Sequence, residues 1–270
     1  MEIDSKKCVG CGNCVPVCPM GAIYVDTATN RSTVNQDACV ECYTCSRAMS
    51  KERLNPPLLR MIRGVLKMLR LRFEPEPDVC PTGAHTPQEL TWPRIVRRAF
   101  SDPQVPHEST GVTGRGTEEV KTNDLTNRVK EGEVGFTIEF GRPGVGVHFK
   151  DIQKMIYALV PLPVTFEKKN PVYTLFSDPV KGTIREDVMN EKLLSAILEL
   201  KTTIAHAPEV LRVVKEVAPT LNTIITIGAA TRCDAKGDNK LEPLFIREGY
   251  NVFRGKTNAG LGRRSVTPAA

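Results

Sequence analysis

Residues 8–19 read CVGCGNCVPVCP, which sets Cys8, Cys11, Cys14 and Cys18 in the order C-x2-C-x2-C-x3-C-P. Residues 39–45, CVECYTC, repeat the first part with Cys39, Cys42 and Cys45. After Cys45 the chain runs 34 residues before Cys80-Pro81 supplies a second C-P. Eight of the nine cysteines are thus used, in two equal sets of four. A two-residue gap lets a tight turn aim successive thiolates at neighbouring corners of one iron–sulfur cube, with inward N–H groups facing the sulfurs. The fourth ligand must come from elsewhere, and in runs of this kind the cysteine before proline crosses to the other cluster. A structural zinc site also uses C-x2-C pairs, but it needs four ligands and has no use for a third cysteine two residues further on.

On these residues the N-terminus resembles the bacterial-type ferredoxins that carry two 4Fe–4S clusters. The resemblance implies a first cluster on Cys8, Cys11, Cys14 and Cys80 and a second on Cys39, Cys42, Cys45 and Cys18. It also implies electron transfer at low potential in an oxygen-poor setting. Cys18-Pro19-Met20-Gly21-Ala22 is echoed by Cys80-Pro81-Thr82-Gly83-Ala84, the internal repeat that a duplicated half-domain leaves. Strand signals at Ile23-Tyr24-Val25 and Thr33-Val34 flank a turn at Asn30-Arg31-Ser32. A compact second motif would have about three residues in place of the 34. That departure leaves open a displaced Cys80 and a labile, three-ligand first cluster.

The wider composition is that of a folded protein: 270 residues, 40% apolar and 25% charged, which rules out wholesale disorder. No apolar run nears the ~20 residues that cross a bilayer, and MEIDSKKC has no signal-like core. The expectation is a cytoplasmic protein whose cysteines stay reduced. The net charge is +6, yet from Arg47 to Arg72 eight basic residues face Glu52 alone, leaving the rest of the chain near −1. The insertion at 46–79 therefore carries the positive charge. Within it residues 57–72, PLLRMIRGVLKMLRLR, read as a basic amphipathic helix started by Pro56-Pro57 and stopped by Pro75 and Pro77. Arg60, Arg63, Lys67 and Arg70 share one face; Leu58, Ile62, Val65, Leu66 and Leu69 share the other. The plainest use is an apolar face laid on the protein with the arginines in water. The alternative is a docking surface for a redox partner protein or catalytic subunits. Membrane-surface contact is disfavoured, and so is nucleic acid, since no aromatic residues interleave with the basic ones.

The sequence divides into a cluster domain over 1–100, a linker over 101–131 and an α+β domain over 132–270. In the last, Val134–Phe140, Val164–Glu167, Val172–Phe176, Leu194–Thr202 and Thr223–Ala229 read as strands, and Lys150–Leu159 and Pro208–Val217 as helices. Residues 86–100 hold a further helix with a Thr-Pro start. The order is β-α-β, an extra strand or hairpin, then β-α-β. That implies an α+β sandwich, an antiparallel sheet with helices on one face.

Three glycine stretches set N–H groups beside cations, as a phosphate-bearing cofactor needs: Gly111 to Gly116 with Arg115, Gly141 to Gly146, and Gly255 to Arg264. None is a dinucleotide fingerprint or a Walker A loop. Only the second lies between a strand and a helix, which makes Gly141, Arg142, Gly144 and Gly146 candidate contacts for a flavin or nucleotide. In its GRP and GLGR stretches the C-terminal half bears a faint similarity to iron–sulfur reductases of the hydroxynicotinate reductase kind. His85 adjoins the second C-P and is placed to hydrogen-bond a cluster; Cys233 reads as a lone thiol. No nucleophile elbow is present. Three functions follow: an electron-transfer subunit of a larger oxidoreductase, a reductase whose C-terminal domain binds flavin or substrate, and a redox-sensing regulatory or assembly protein. The first fits best, because about 170 residues follow the cluster domain.

Overall fold

The computed structural model describes residues 1–71, 80–107, 111, 127–234, 236–238 and 240–252. Residues 72–79, most of the first glycine stretch and all of 255–264 lie outside them.

Cysteines spaced by two or three leave little room for long elements, and the N-terminal part is built of short ones. Strand β1 (Glu2–Ile3) leads to helix α1 (Cys14–Val17), which starts on one cysteine and is capped by the next, Cys18. Strands β2 (Ile23–Asp26) and β3 (Arg31–Val34) form a hairpin in which Ile23 faces Val34. Its turn occupies 27–30 rather than 30–32. The Asp26 carboxylate accepts the N–H groups of Ala28 and Thr29, and Asn30 takes the left-handed φ of 52° that closes it. Helix α2 (Thr44–Arg47) follows.

Helix α3 (Pro56–Met68) forms where the basic amphipathic stretch requires it. Asn55 caps it by accepting the Leu58 N–H at 3.2 Å, and two prolines fill its first positions. Its orientation meets the plainest expectation only in part: Leu59 is buried, Ile62 and Leu66 are half-buried, and Lys67 and Arg70 are in water. Leu58, Met61, Val65, Met68 and Leu69 are 47–76% exposed, and Leu59 alone is buried. The Arg60 guanidinium instead reaches inward to the carbonyls of Ser5, Lys6 and Cys8. The surface under the helix is a cysteine loop with carbonyl acceptors, so it draws Arg60 inward, and Leu58, Met61, Val65, Met68 and Leu69 are left in water.

Strand β4 (His85–Thr86) pairs with β1, and the chain stays irregular to helix α4 (Ile95–Ser101). The sequence places this helix with the cluster domain. Its Val96 and Phe100, however, pack into the core of the larger unit, so α4 forms the seam between the two.

The larger unit contains β5 (Glu133–Phe140), β6 (Val147–His148), α5 (Phe149–Leu159), β7 (Thr165–Phe166), β8 (Phe176–Asp178), β9 (Thr183–Ile184) and β10 (Lys192–Leu193). It continues with β11 (Ala196–Thr203), α6 (Ala207–Val217), β12 (Ile225–Thr231) and α7 (Leu241–Arg247). Four strands make one antiparallel sheet in the order β12-β5-β11-β7, a split β-α-β arrangement. The mixed α+β class is the expected one. Register pairs Phe140 with Ala196, Ile138 with Leu198 and Phe136 with Leu200. Those side chains share one face of the sheet and pack in one core with Ile152, Ile156 and Leu159 of α5 and Val210, Leu211 and Val214 of α6. Residues 172–175 depart from the strand reading. The Asn170 side chain accepts the Val172 N–H at 2.9 Å, the chain makes a tight helical turn over Tyr173–Leu175, and the strand begins only at Phe176.

Candidate metal centres

The two sets of cysteines end in two pockets. Cys8, Cys11, Cys14 and Cys80 line the first, hereafter site 1, together with Ser32, Thr82 and His85. Cys18, Cys39, Cys42 and Cys45 line the second, site 2, together with Met20, Val40, Glu41 and Tyr43. Among the described residues no three Cys, His, Asp or Glu side chains converge on one ion. Four thiols standing around a space fit a polynuclear iron–sulfur group, which such thiolates would hold at its corners while the protein supplies N–H groups to the sulfurs.

Each site contains the same turn. The Ala22 N–H donates to Cys18 Sγ at 3.3 Å, and the Ala84 N–H donates to Cys80 Sγ at 3.3 Å. Between them Gly21 and Gly83 take φ of 62° and 61°, which a side chain would resist. The repeated Cys-Pro-x-Gly-Ala peptide is thus one device used twice. Cys8 Sγ accepts two further N–H groups, from Gly10 at 3.4 Å and Ser32 at 3.3 Å. Gly10 is required here, because a Cβ would lie 2.2 Å from the Asn30 carbonyl oxygen.

The long gap before Cys80 closes on itself. Met49 stands where a compact motif would put its last cysteine, and Cys80 forms a parallel bridge beside it. The Cys80 N–H donates to the Ala48 carbonyl (2.8 Å) and the Ser50 N–H donates to the Cys80 carbonyl (2.9 Å). The chain therefore leaves and returns at neighbouring points, and Cys80 stands with Cys8, Cys11 and Cys14.

Burial and mutual proximity set the electrostatics of the thiols. Burial, reinforced by the neighbouring sulfurs, pushes the Cys14 thiol up to about 11 and the Cys45 thiol up to about 12. Cys11 and Cys39 are raised for the same first reason, and Arg63 partly offsets this at Cys11. Thiols held this high keep their protons until a metal displaces them. The Cys45 thiol also feels Cys14 of the other site, so the two sites are electrostatic neighbours. His85 is buried in the wall of site 1, burial lowers its pKa, and its Nδ1 has no hydrogen-bond partner.

Several residues escaped the sequence reading because they act across long separations. Glu41, fully buried beside site 2, accepts from Arg94 at 2.6 and 3.0 Å and from the Met1 amine. Together these hold its carboxyl below the usual range despite burial. Arg97 of α4 donates to the carbonyls of Gln36, Asp37 and Cys39 and pairs with Glu191. Leu194 packs against the Met20 and Val40 wall. Site 2 is therefore roofed by the larger unit.

The glycine loop at 141–146, the candidate flavin or nucleotide contact of the sequence, is part of that roof. The Gly141 N–H goes to the Ile224 carbonyl and the Gly144 N–H to the Pro19 carbonyl; those of Val145 and Gly146 go to the Arg142 carbonyl. A Cβ on Gly146 would meet Leu193 O at 2.7 Å and Met20 Cε at 2.8 Å. The glycines allow close packing on the cluster domain, and these four donors are already taken up. Arg142 is exposed beside them. Cys233 is exposed and belongs to neither pocket.

Comparison with known proteins agrees with the geometry. Residues 1–48 match the 4Fe–4S dicluster domain. Over 42 residues the chain is 43% identical to Ferredoxin-1 of Rhodobacter capsulatus and 40% identical to a ferredoxin-like protein in the vnf region of Azotobacter chroococcum. Each alignment takes in 16% of this chain and spans 62% of the relative's length. No solved structure matches. The N-terminal region is thus a ferredoxin-like 4Fe–4S domain, and electron transfer is the chemistry it implies. The matched segment holds seven of the eight paired-off cysteines; Cys80 lies beyond it. No helix among the described residues is long and apolar enough to cross a membrane.

Proposed function

We propose that the chain is an electron-transfer subunit of a larger oxidoreductase, carrying one 4Fe–4S cluster on Cys8, Cys11, Cys14 and Cys80 and a second on Cys39, Cys42, Cys45 and Cys18. The observation that carries this reading is the sorting of eight cysteines into two pockets by two crossed Cys-Pro turns. Helix α1 links the sites, giving Cys14 to one and Cys18 to the other, so an electron has a short path between them. Site 2 lies under the larger unit, and exchange with a partner takes place at the site 1 end. The docking face there is the outward stripe of α3, with Leu58, Met61, Val65, Met68 and Leu69 exposed in close succession. A contiguous exposed apolar patch of this kind marks a protein contact. This moves docking from the basic face, which the sequence suggests, to the apolar one.

The test is a stepwise reductive titration of anaerobically reconstituted protein followed by paramagnetic resonance. The expected result is uptake of two electrons and their return to an oxidised viologen dye; uptake of only one removes the relay. Met61→Glu with Val65→Glu should leave both electrons in place and abolish co-purification with partner subunits. Undiminished co-purification would return α3 to a purely structural role. A flavin-binding reductase gains no support from residues 141–146, whose donors serve the fold.

A further inference from the structure

Between α3 and the first cysteine loop runs a groove with about 1270 Å³ of open space. Arg31, Arg60, Arg63, Lys67 and Arg70 line it, and so does Cys11, which also lines site 1. No carboxylate is among the lining residues, and none of the five cations pairs with a carboxylate among the described residues. Five positive charges turned toward one space repel one another, and folding has gathered them there from two walls. Arg60 Nε and Arg63 Nη1 are buried and have no hydrogen-bond partner. A buried donor left without an acceptor is destabilising, and among the described residues nothing negative offsets this charge.

We infer that this groove binds a small polyanion, a molecule carrying two or more phosphate or carboxylate groups, beside site 1. The concave shape favours a small molecule over an acidic protein surface. A flat surface would reach the exposed Lys67 and Arg70 but not the half-buried Arg60 and Arg63. Arg60 and Lys67 are seven residues apart, or about 10 Å along the helix, so one ligand can engage both with separate anionic groups. The site also has a redox consequence, which rests on the cluster reading given above. Negative charge next to Cys11 opposes the arrival of an electron at site 1. By reciprocity, reduction of site 1 weakens the hold on the anion.

The test is calorimetric titration of anaerobic, iron-loaded protein with inorganic pyrophosphate, with orthophosphate and a polyglutamate peptide as parallel probes. Pyrophosphate should bind well above orthophosphate, with affinity falling at least tenfold in Arg63→Gln/Lys67→Gln at unchanged iron content. Arg31→Gln, on the opposite wall, should weaken it independently, and raised salt should weaken it in every protein. Binding should be looser to the dithionite-reduced protein than to the oxidised one. Equal affinity in wild type and both variants overturns the proposal, and so does binding of the peptide without pyrophosphate. A protein that loads no iron yet binds pyrophosphate defeats the cluster reading and leaves the groove standing. One that loads iron fully and binds no pyrophosphate defeats the groove alone.

Discussion

Site 1 and site 2 are made from the same parts and covered in opposite ways. Both use a cysteine run closed by a distant Cys-Pro-x-Gly-Ala turn, with the alanine N–H directed at the sulfur. Site 1 is flanked by a basic helix and an open groove. Site 2 lies beneath α4, Leu194 and the 141–146 loop, with Arg97 fastened to its backbone. The repeated turn is common to both, and what surrounds it makes the halves unequal. The 34-residue insertion reaches site 1 without displacing Cys80, because it leaves and rejoins at Met49 and Cys80.

The largest expected effect comes from separating the sites by mutation. Cys80→Ala should remove the cluster at site 1 and Cys18→Ala the one at site 2, each halving iron and labile sulfide while the other site's reduced signal survives. Loss of the same signal from both variants would break the crossed assignment.

Next comes the fastening of site 2. Arg97 and Glu191 are 9% and 13% exposed, and breaking so buried a pair from one side costs about 3–5 kcal/mol. Arg97→Met should lower stability to chemical denaturation by that amount and lose site 2 first. The corresponding change at site 1, Arg60→Met, removes hydrogen bonds to carbonyls at a more exposed position and should cost about 1 kcal/mol. Equal losses would mean that the two covers are equally integral.

The roof loop sharpens the same contrast within six residues. Gly144 and Gly146 both have positive φ, but a Cβ meets nothing at Gly144 and clashes with Leu193 O and Met20 Cε at Gly146. Gly144→Ala should cost about 1–2 kcal/mol for the left-handed backbone alone. Gly146→Ala should cost clearly more and disturb site 2. Thermal melts of the two variants check this, and matching shifts would refute the packing role.

The smallest effect is a pH dependence at the seam. His107 packs edge-on against Phe100 of α4, and burial holds its pKa down to about 4. The unfolded chain therefore takes up a proton near pH 6.5 that the folded one refuses. The stabilisation is complete above that pH and is lost as pH falls toward about 4. Between pH 7 and pH 5 the loss is about 2 kcal/mol. Urea unfolding across that window should show it, and His107→Gln should flatten the slope. His85 in site 1 is shifted in the same direction, so a slope left intact by His107→Gln would assign the effect to site 1 instead.

The cysteine pattern was legible because metal ligation fixes both residue type and spacing. The sheet followed from period-two alternation, as at Val134, Phe136, Ile138 and Phe140. The facing of α3 was not legible. Periodicity says which residues share a side of a helix but not what surface that side meets, and here the surface is carbonyl-rich. The packing role of the 141–146 loop was not legible for a related reason. Glycine with a neighbouring cation serves both a phosphate cradle and a close chain crossing. The difference lies in acceptors at Pro19 and Ile224, far away in sequence. Arg97 and Glu41 were silent for the same reason: each works through partners 40 or more residues distant.

The central claim is that each pocket holds one four-iron cluster, and native mass spectrometry of the anaerobically reconstituted wild type addresses it most directly. The expected bound mass is that of two clusters, about eight irons and eight sulfides. A bound mass of a single cluster, or of zinc, would contradict it.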